Sequence, residues 1–523
     1  AWGTVRAMAA RHFVSCPLCE ATCGLDVVTE GGAVQGIRGD ADDPFSRGYL
    51  CPKAVALADI HDDPDRLRRP VRRDGTRWLE VGWDEAYALV AEGVARVRRE
   101  HGPNAMAVYL GNPNVHSLGA MLFAPALARA LGTRHRYSAT SVDQLPHHVA
   151  AFLMFGHQLL LPVPDVDRTH FLLVLGANPL ASNGSLMTAP DRGRRVAALR
   201  ARGGRGGGAA PRRTETAAAA DRHLAVRPGT DAVLLLALLH TIFAEGLARP
   251  GRLAPHTVHL DRLRSVAAPW DAGRAEALTG VPAEDLSGLA RDFANADRAV
   301  CYGRLGISTQ AFGSLAAWLV TAPNLVTRPL DEVGGAMFTR PAVDLVGGGL
   351  VGRGSMGRHR TRVRGLPGFG GELPAAALAE EIDTPGDGQV RGLLTIAGNP
   401  VLSTPNGSRL ERALPGLRFM AAVDFHVNET TRHAHVILPP TGPLERDHYD
   451  LVFNALAVRN VAKFSPAVFP RKADQRHDWE ILGALTSRLA TGPLAARLRT
   501  KAAAAVALCL GPRRLPDLAL RRG

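Results

Sequence analysis

Cys16-Pro-Leu-Cys19-Glu-Ala-Thr-Cys23 opens a stretch that closes on Cys51-Pro52-Lys53, and four of the six cysteines of the chain lie in it. Thiolates are soft ligands for iron and zinc. Three on a short loop, with a fourth returned by the fold, can enclose a cubic [4Fe–4S] cluster. The alternatives are a structural zinc site, a disulfide pair and chance. Zinc more often takes two separated Cys-x-x-Cys knuckles. Disulfides are improbable in a large chain with few cysteines. The three-plus-one layout therefore points to iron–sulfur chemistry.

A second candidate is an internal echo. Leu173-Val-Leu-Gly176-Ala-Asn178-Pro179, followed by Asn183-Gly-Ser185, resembles Leu394-Thr-Ile-Ala-Gly398-Asn399-Pro400, followed by Asn406-Gly-Ser408. Each reads as a strand ending in a Gly-containing Asn-Pro turn. Ligands of open α/β sheets bind at the carboxyl ends of strands. Small residues there let the backbone approach a phosphate or ring, and free N–H groups can donate to it. Two such turns suggest two half-sites, or one ligand with two similar halves, although Asn-Pro alone is a common turn. Arg227-Pro-Gly229-Thr230-Asp231 precedes an apolar segment, Ala232 to Ala244; Thr230 or Asp231 can cap it. Arg353, Arg358 and His359 in a glycine-rich loop, with His147 and His148, are further pocket candidates.

The elements that must position these residues read as α/β. Phe13-Val14, Leu25–Val28 and Ala33–Ile37 look like short strands of a small β-rich cap. A charged, Pro-containing boundary, Asp62 to Gly75, follows. Helix Trp83–Glu100, a strand at 105–110 and a helix near 119–131 begin an alternation typical of doubly wound sheets. Strands at 171–175, 299–302, 393–396, 420–424 and 435–438 continue it, with helices near 190–201, 231–245 and 310–325. The fold class expected is a small β-rich N-terminal iron–sulfur domain followed by two pseudo-related doubly wound α/β domains. The expected division is 12–66 for the cluster domain, 67–135 with 331–490 for a discontinuous α/β domain, 136–330 for the other, and a helical tail at 491–523. Cys509 in that tail reads as a buried small hydrophobe.

Length and charge narrow the classes. A chain of 523 residues is too long for one core. Net charge is +13 and the pI near 10.1, but aromatics are only 5 %, which leaves few platforms for stacking bases. Dispersed arginines with no nucleic-acid-binding motif argue for a solvated basic surface, or for a phosphate-bearing cofactor or acidic partner, rather than nucleic acid. The most apolar segment, Ala232 to Ala244, contains His240 and is too short for a membrane span. Ala1-Trp-Gly-Thr-Val-Arg shows neither a twin-arginine pair nor an apolar export core, so a cytoplasmic location without membrane insertion is expected.

Together these residues resemble the catalytic subunits of the molybdopterin oxidoreductases, the dimethyl-sulfoxide-reductase superfamily. The resemblance runs from about Cys16 to Leu485. It rests on Cys-x2-Cys-x3-Cys-x27-Cys-Pro-Lys, the two Asn-Pro turns, the Gly229–Asp231 turn, and Asp424 followed by Asn428-Glu-Thr430-Thr431 and Val436–Pro439. It implies that Cys16, Cys19, Cys23 and Cys51 hold a [4Fe–4S] cluster and that Lys53 lies between cluster and pterin. It implies two molybdopterin guanine dinucleotides lying across two pseudo-related α/β domains, with molybdenum or tungsten. Gly176, Asn178, Pro179, Arg212, Gly229, Asp231, Gly398, Asn399, Pro400, Asp424 and Thr430 would contact them. Ser138 falls where relatives carry a metal ligand, with Ser141 as the near alternative. A small-molecule substrate and an electron-transfer protein or iron–sulfur subunit complete the implied set.

Three departures qualify the resemblance. Gly203-Gly-Arg-Gly-Gly-Gly208 stands where the family has an aliphatic strand leading into Asp-Pro-Arg, and Ala210 replaces that Asp. Glycine is poor strand material, so weak nucleotide affinity or local disorder is expected there. His435 stands where relatives carry Asp. Residues 490–523 hold nothing that could form the family's C-terminal β-barrel, so the chain reads as truncated relative to it. The competing readings are a non-catalytic iron–sulfur electron-transfer subunit of the same fold and a zinc-stapled basic nucleic-acid-binding protein.

Overall fold

The structure is a computed structural model that describes residues 9–521. The export-signal reading of Ala1 to Arg6 lies outside the described residues. The chain forms two compact units: residues 1–142, 354–452 and 462–523 make the first, and 143–353 with 453–461 the second.

The first unit begins with a three-stranded antiparallel meander, Ala10–Ser15, Gly24–Glu30 and Ala33–Gly39. The second and third strands are joined at Gly31-Gly32, both with positive φ (61° and 84°), the backbone a tight hairpin of right-handed twist requires. The first and second strands are joined by the cysteine loop. A seven-stranded sheet follows, in the order 77–80, 71–74, 436–438, 419–423, 392–396, 106–110, 135–138. Its last five strands run parallel, and the two at the other edge pair antiparallel. Alternation along the strands supplies both faces. Leu394, Ile396, Ala421 and Val423 pack beneath the helices Trp83–His101, Leu118–Ala130 and Asp478–Leu489. Leu393, Met420, Ala422 and Tyr109 pack on the opposite side with Leu378 and Leu410.

Several boundaries differ from the sequence reading. His135–Ser138 pairs with Met106–Leu110, so the first unit runs on to Val142. Within the charged stretch 62–75, Val71–Asp74 is a strand of the sheet, because Val71 is buried and pairs with Ile437. Residues 331–353 stay with the second unit. The tail forms a helix, Leu494–Leu520, kinked at Gly511 ahead of Pro512, with Leu508 and Leu515 against the core. Cys509 is exposed, not buried, because the packed residues of that turn are Ala507 and Leu508. Among the described residues no helix is long and apolar enough to cross a membrane.

The second unit holds a four-stranded parallel sheet in the order 222–224, 205–209, 171–175, 299–303. Its core lies under the helices Asp231–Ala244, Ala283–Asn295 and Gly313–Val326. The glycine run is not disordered. Arg205–Ala209 is a strand paired on both sides, and backbone hydrogen bonds to two neighbours hold what the side chains do not. A Cβ on Gly207 would meet Leu289 at 3.4 Å and Leu173 at 3.6 Å, ordinary contact distances; one on Gly208 would meet Ala220 at 3.9 Å. Glycine in a strand interior costs roughly 0.5–1 kcal/mol relative to alanine. Gly207→Ala and Gly208→Ala are therefore each expected to stabilise the protein by about 0.5–1 kcal/mol. Chemical denaturation measures this, and a loss of stability in both would show that the strand is not formed.

Candidate iron–sulfur and cofactor-binding site

The cysteine loop turns back on itself. The Cys16 N–H donates to the Cys23 carbonyl at 2.8 Å, and Thr22 takes a left-handed backbone (φ 46°) to close the turn. Cys16 and Cys23 are buried, while Cys19 and Cys51 are partly exposed. Cys51 stands at the N-terminus of the short helix Pro52–Val55, where Pro52 suits the first turn. The thiols are close enough to act on one another. Burial above all, with Cys19 and Cys51 beside it, pushes the Cys16 thiol up to about 12. Burial likewise raises Cys23 and Cys19. Opposing this, the Leu18 and Ala21 N–H groups donate to the Cys16 and Cys19 sulfurs, and Lys53 favours both thiolates. Lys463 does the same for Cys23, and its ammonium donates to the Thr22 carbonyl and to Asp43. Among the described residues no three His, Cys, Asp or Glu side chains stand at metal-holding spacing, so the thiols are gathered without being drawn together.

The two Asn-Pro turns repeat in three dimensions, one in each unit. Gly176 (φ 54°) and Ala397 (φ 46°) take the same left-handed step after their strands. Each turn also passes against a glycine beyond the neighbouring strand. A Cβ on Gly306 would lie 2.8 Å from the Gly176 Cα, and one on Gly111 would lie 1.8 Å from the Ala397 carbonyl. The carboxamides are held alike. Asn178 Nδ2 donates to Glu215 (2.6 Å), and the Thr216 hydroxyl donates to Asn178 Oδ1 (2.8 Å). Asn399 Nδ2 donates to Glu429 (2.7 Å), and the Thr430 hydroxyl donates to Asn399 Oδ1 (2.6 Å). The threonines in turn accept the Leu180 and Val401 N–H groups, both at 3.1 Å. Each turn is thus locked by a Glu-Thr pair from a separate loop.

The molybdopterin oxidoreductase family model matches residues 66–488, and the model of its Fe4S4 domain matches residues 14–63.

The chain belongs to the molybdopterin oxidoreductases.

It is 25 % identical over 514 residues to the assimilatory nitrate reductase catalytic subunit of Bacillus subtilis (strain 168), spanning 92 % of this chain and 69 % of that one. It is 26 % identical over 510 residues to formate dehydrogenase H of Escherichia coli (strain K12), spanning 91 % and 67 %. Acetylene hydratase from Pelobacter acetylenicus shares the fold, with a TM-score of 0.76 at 18 % identity over 91 % of this chain and 69 % of that one. The family carries a [4Fe–4S] cluster and a molybdopterin with molybdenum or tungsten. The residues of this oxidoreductase fit the cluster: four grouped thiols, two N–H donors to sulfur and two lysines offset the charge of buried thiolates.

The remaining expected residues fall into place unevenly. Ser138 ends its strand 7 % exposed and donates its hydroxyl to Glu372 at 2.5 Å, while burial raises the Glu372 carboxyl. Ser141 instead accepts the Ala375 N–H, a tie between segments. Burial raises the Asp424 carboxyl, which Asn428 contacts at 3.4 Å. Neither Thr230 nor Asp231 caps its helix through a side chain. Thr230 donates to the Arg227 carbonyl, and buried Asp231 accepts Gln310 Nε2 at 2.7 Å. Gly229 (φ 85°) has open space around its Cα. Arg212 is exposed near Glu215. Lys53 is exposed. Arg358 and His359 lie on an exposed strand of the first unit; Arg353, His147 and His148 belong to the second, with His148 Nδ1 3.0 Å from the Gln158 carbonyl. Glu215, Thr216, Glu429, Glu372 and Lys463 were not foreseen. A Glu-Thr dipeptide following each Asn-Pro turn was the signal for the first three; Glu372 and Lys463 had none.

Thr430 is fully buried, whereas Thr216 is partly exposed. Thr430→Val strands the buried Val401 N–H and a half-buried carboxamide oxygen, and should cost about 1–3 kcal/mol. At Thr216 water can replace both bonds, so Thr216→Val should cost under about 1 kcal/mol. Equal losses on denaturation would show that the two locks do not differ in solvation.

Proposed function

We propose that this oxidoreductase performs a two-electron oxidation or reduction of a small substrate at molybdenum or tungsten held by two pterin guanine dinucleotides, with electrons passing singly through the [4Fe–4S] cluster. The observation that carries the reading is the duplicated turn: Gly176-Ala-Asn178-Pro179 locked by Glu215 and Thr216, and Ala397-Gly398-Asn399-Pro400 locked by Glu429 and Thr430. Each unit carries one such lock, and two like locks suit two like dinucleotides. The metal centre supplies the two-electron chemistry, and the protein supplies orientation and electrostatics.

In this reading Cys16, Cys19, Cys23 and Cys51 hold the cluster, and Lys53 and Lys463 moderate its charge. The N–H groups and small residues of the Asn-Pro turns, with Gly229, receive the nucleotide portions, and half-buried Asp424 and buried Asp231 offer carboxyls whose proton affinity burial raises. Arg212, exposed beside Glu215, is a cation of that loop available to a phosphate. Ser138 is the candidate metal ligand, and Glu372 would hold its proton. A separate electron-transfer protein or iron–sulfur subunit completes the system. Relatives with "subunit alpha" in their names, such as the NADPH-Fe(3+) oxidoreductase of Geobacter sulfurreducens, support a partner.

Metal and nucleotide analysis of anaerobically purified protein tests the proposal. About four irons per chain, molybdenum or tungsten, and guanine nucleotide released on acid hydrolysis are expected. Iron without guanine nucleotide would replace this reading with a non-catalytic electron carrier, and zinc alone would overturn both. Cys23→Ala should remove the broad visible absorbance of the cluster while Asn399→Ala leaves it intact and lowers bound nucleotide. Retention of full cluster absorbance in Cys23→Ala would remove it from the ligand set.

A further inference from the structure

Arg304 follows the strand Ala299–Gly303 at its carboxyl end in the second unit. Its side chain is 3 % exposed. One terminal nitrogen donates to Asp143 (2.8 Å) and to the Ser185 hydroxyl. The other two nitrogens, Nε and Nη1, are buried and meet no partner. A guanidinium has five N–H donors and no acceptor. Leaving charged donors unmet in the interior costs more than leaving neutral ones.

Arg304 lines a small cavity of about 40 Å³, with His147, Leu161, Leu186, Tyr302 and Asn324 among its walls. His147, on the helix Leu145–Phe155, brings a second unmet group, since its buried Nε2 has no partner. Burial, then Arg304, hold that ring neutral. The other polar walls are already bonded. Asn324 pairs with the Cys301 N–H and carbonyl, and the Tyr302 hydroxyl with the Ser185 backbone. Apart from Thr321 and Cys301 the remaining walls are apolar, and Arg304 is the one charged side chain of the lining. Its counter-charge, Asp143, is 44 % exposed and shares its charge with solvent. A space of this size holds two or three waters or one small ion.

We infer that Arg304 and His147 frame a buried site for one small monovalent anion, of the size of a halide, nitrite or formate. The anion accepts from Arg304 Nε and Nη1 and from the His147 Nε2 proton. Water could meet these donors but would bring no charge to the guanidinium, whose paired carboxylate is half in solvent. The site draws on neither Glu-Thr lock and on no cysteine.

The test uses the purified full chain in a background of large organic ions. Sodium chloride, nitrite or formate should each raise the melting temperature saturably, by roughly 2–4 °C. Arg304→Met, which removes the donors, and His147→Phe, which fills the space and keeps the charge, should both abolish that shift. Crystals soaked in bromide should show an anomalous peak against the Arg304 guanidinium. A salt response identical in wild type and His147→Phe, or an empty anomalous map at Arg304, would overturn the inference.

Discussion

Both sheets are governed by how closely two chain segments cross at their carboxyl ends. After Ile396 the backbone passes so near Gly111 that a Cβ there would lie 1.8 Å from the Ala397 oxygen, and Gly306 meets Gly176 in the same way. Parallel strands in register finish side by side, so the turns leaving them compete for one space. Removing a Cβ from one partner resolves the conflict and sets the direction in which Asn178 and Asn399 leave. The Glu-Thr locks then fix the carboxamides, and the first backbone N–H groups beyond the prolines are taken by threonine rather than left to fray.

The cysteine loop answers a different constraint. Burial makes the Cys16, Cys19 and Cys23 thiols resist ionisation. The loop counters this with N–H donors aimed at sulfur and with lysines from two distant stretches of sequence, Lys53 and Lys463. Lys463 is itself anchored by Asp43, which also receives the Gly24 N–H and the Ser46 hydroxyl. The meander is therefore tied to a segment more than 400 residues away, and the charge of the site is set by that tie.

Residues 143–353 show the same economy with less side-chain material. The Gly206–Gly208 strand survives because hydrogen bonds to 171–175 and 222–224 act on backbone alone, and Leu289, Leu173 and Phe171 cover it from one side. Propensity argued against a strand here, and pairing on two edges overrode it. The misplaced boundary before His135 has a similar cause. His135-Arg-Tyr-Ser138 has little apolar patterning, yet its edge position needs one partner strand and one buried face, which Tyr137 provides.

Cysteine spacing, the alternation of apolar strands with helices and the two Asn-Pro turns are local patterns set by side-chain period and backbone restriction, so they are readable without coordinates. From them the family and most of the secondary structure were legible. Tertiary structure alone decided which distant groups complete each site: Glu372 on Ser138, Lys463 by Cys23, Gln310 on Asp231, and Arg304 beside His147. Hydrogen bonds and burial act across space regardless of separation along the chain, and no spacing rule carries that information.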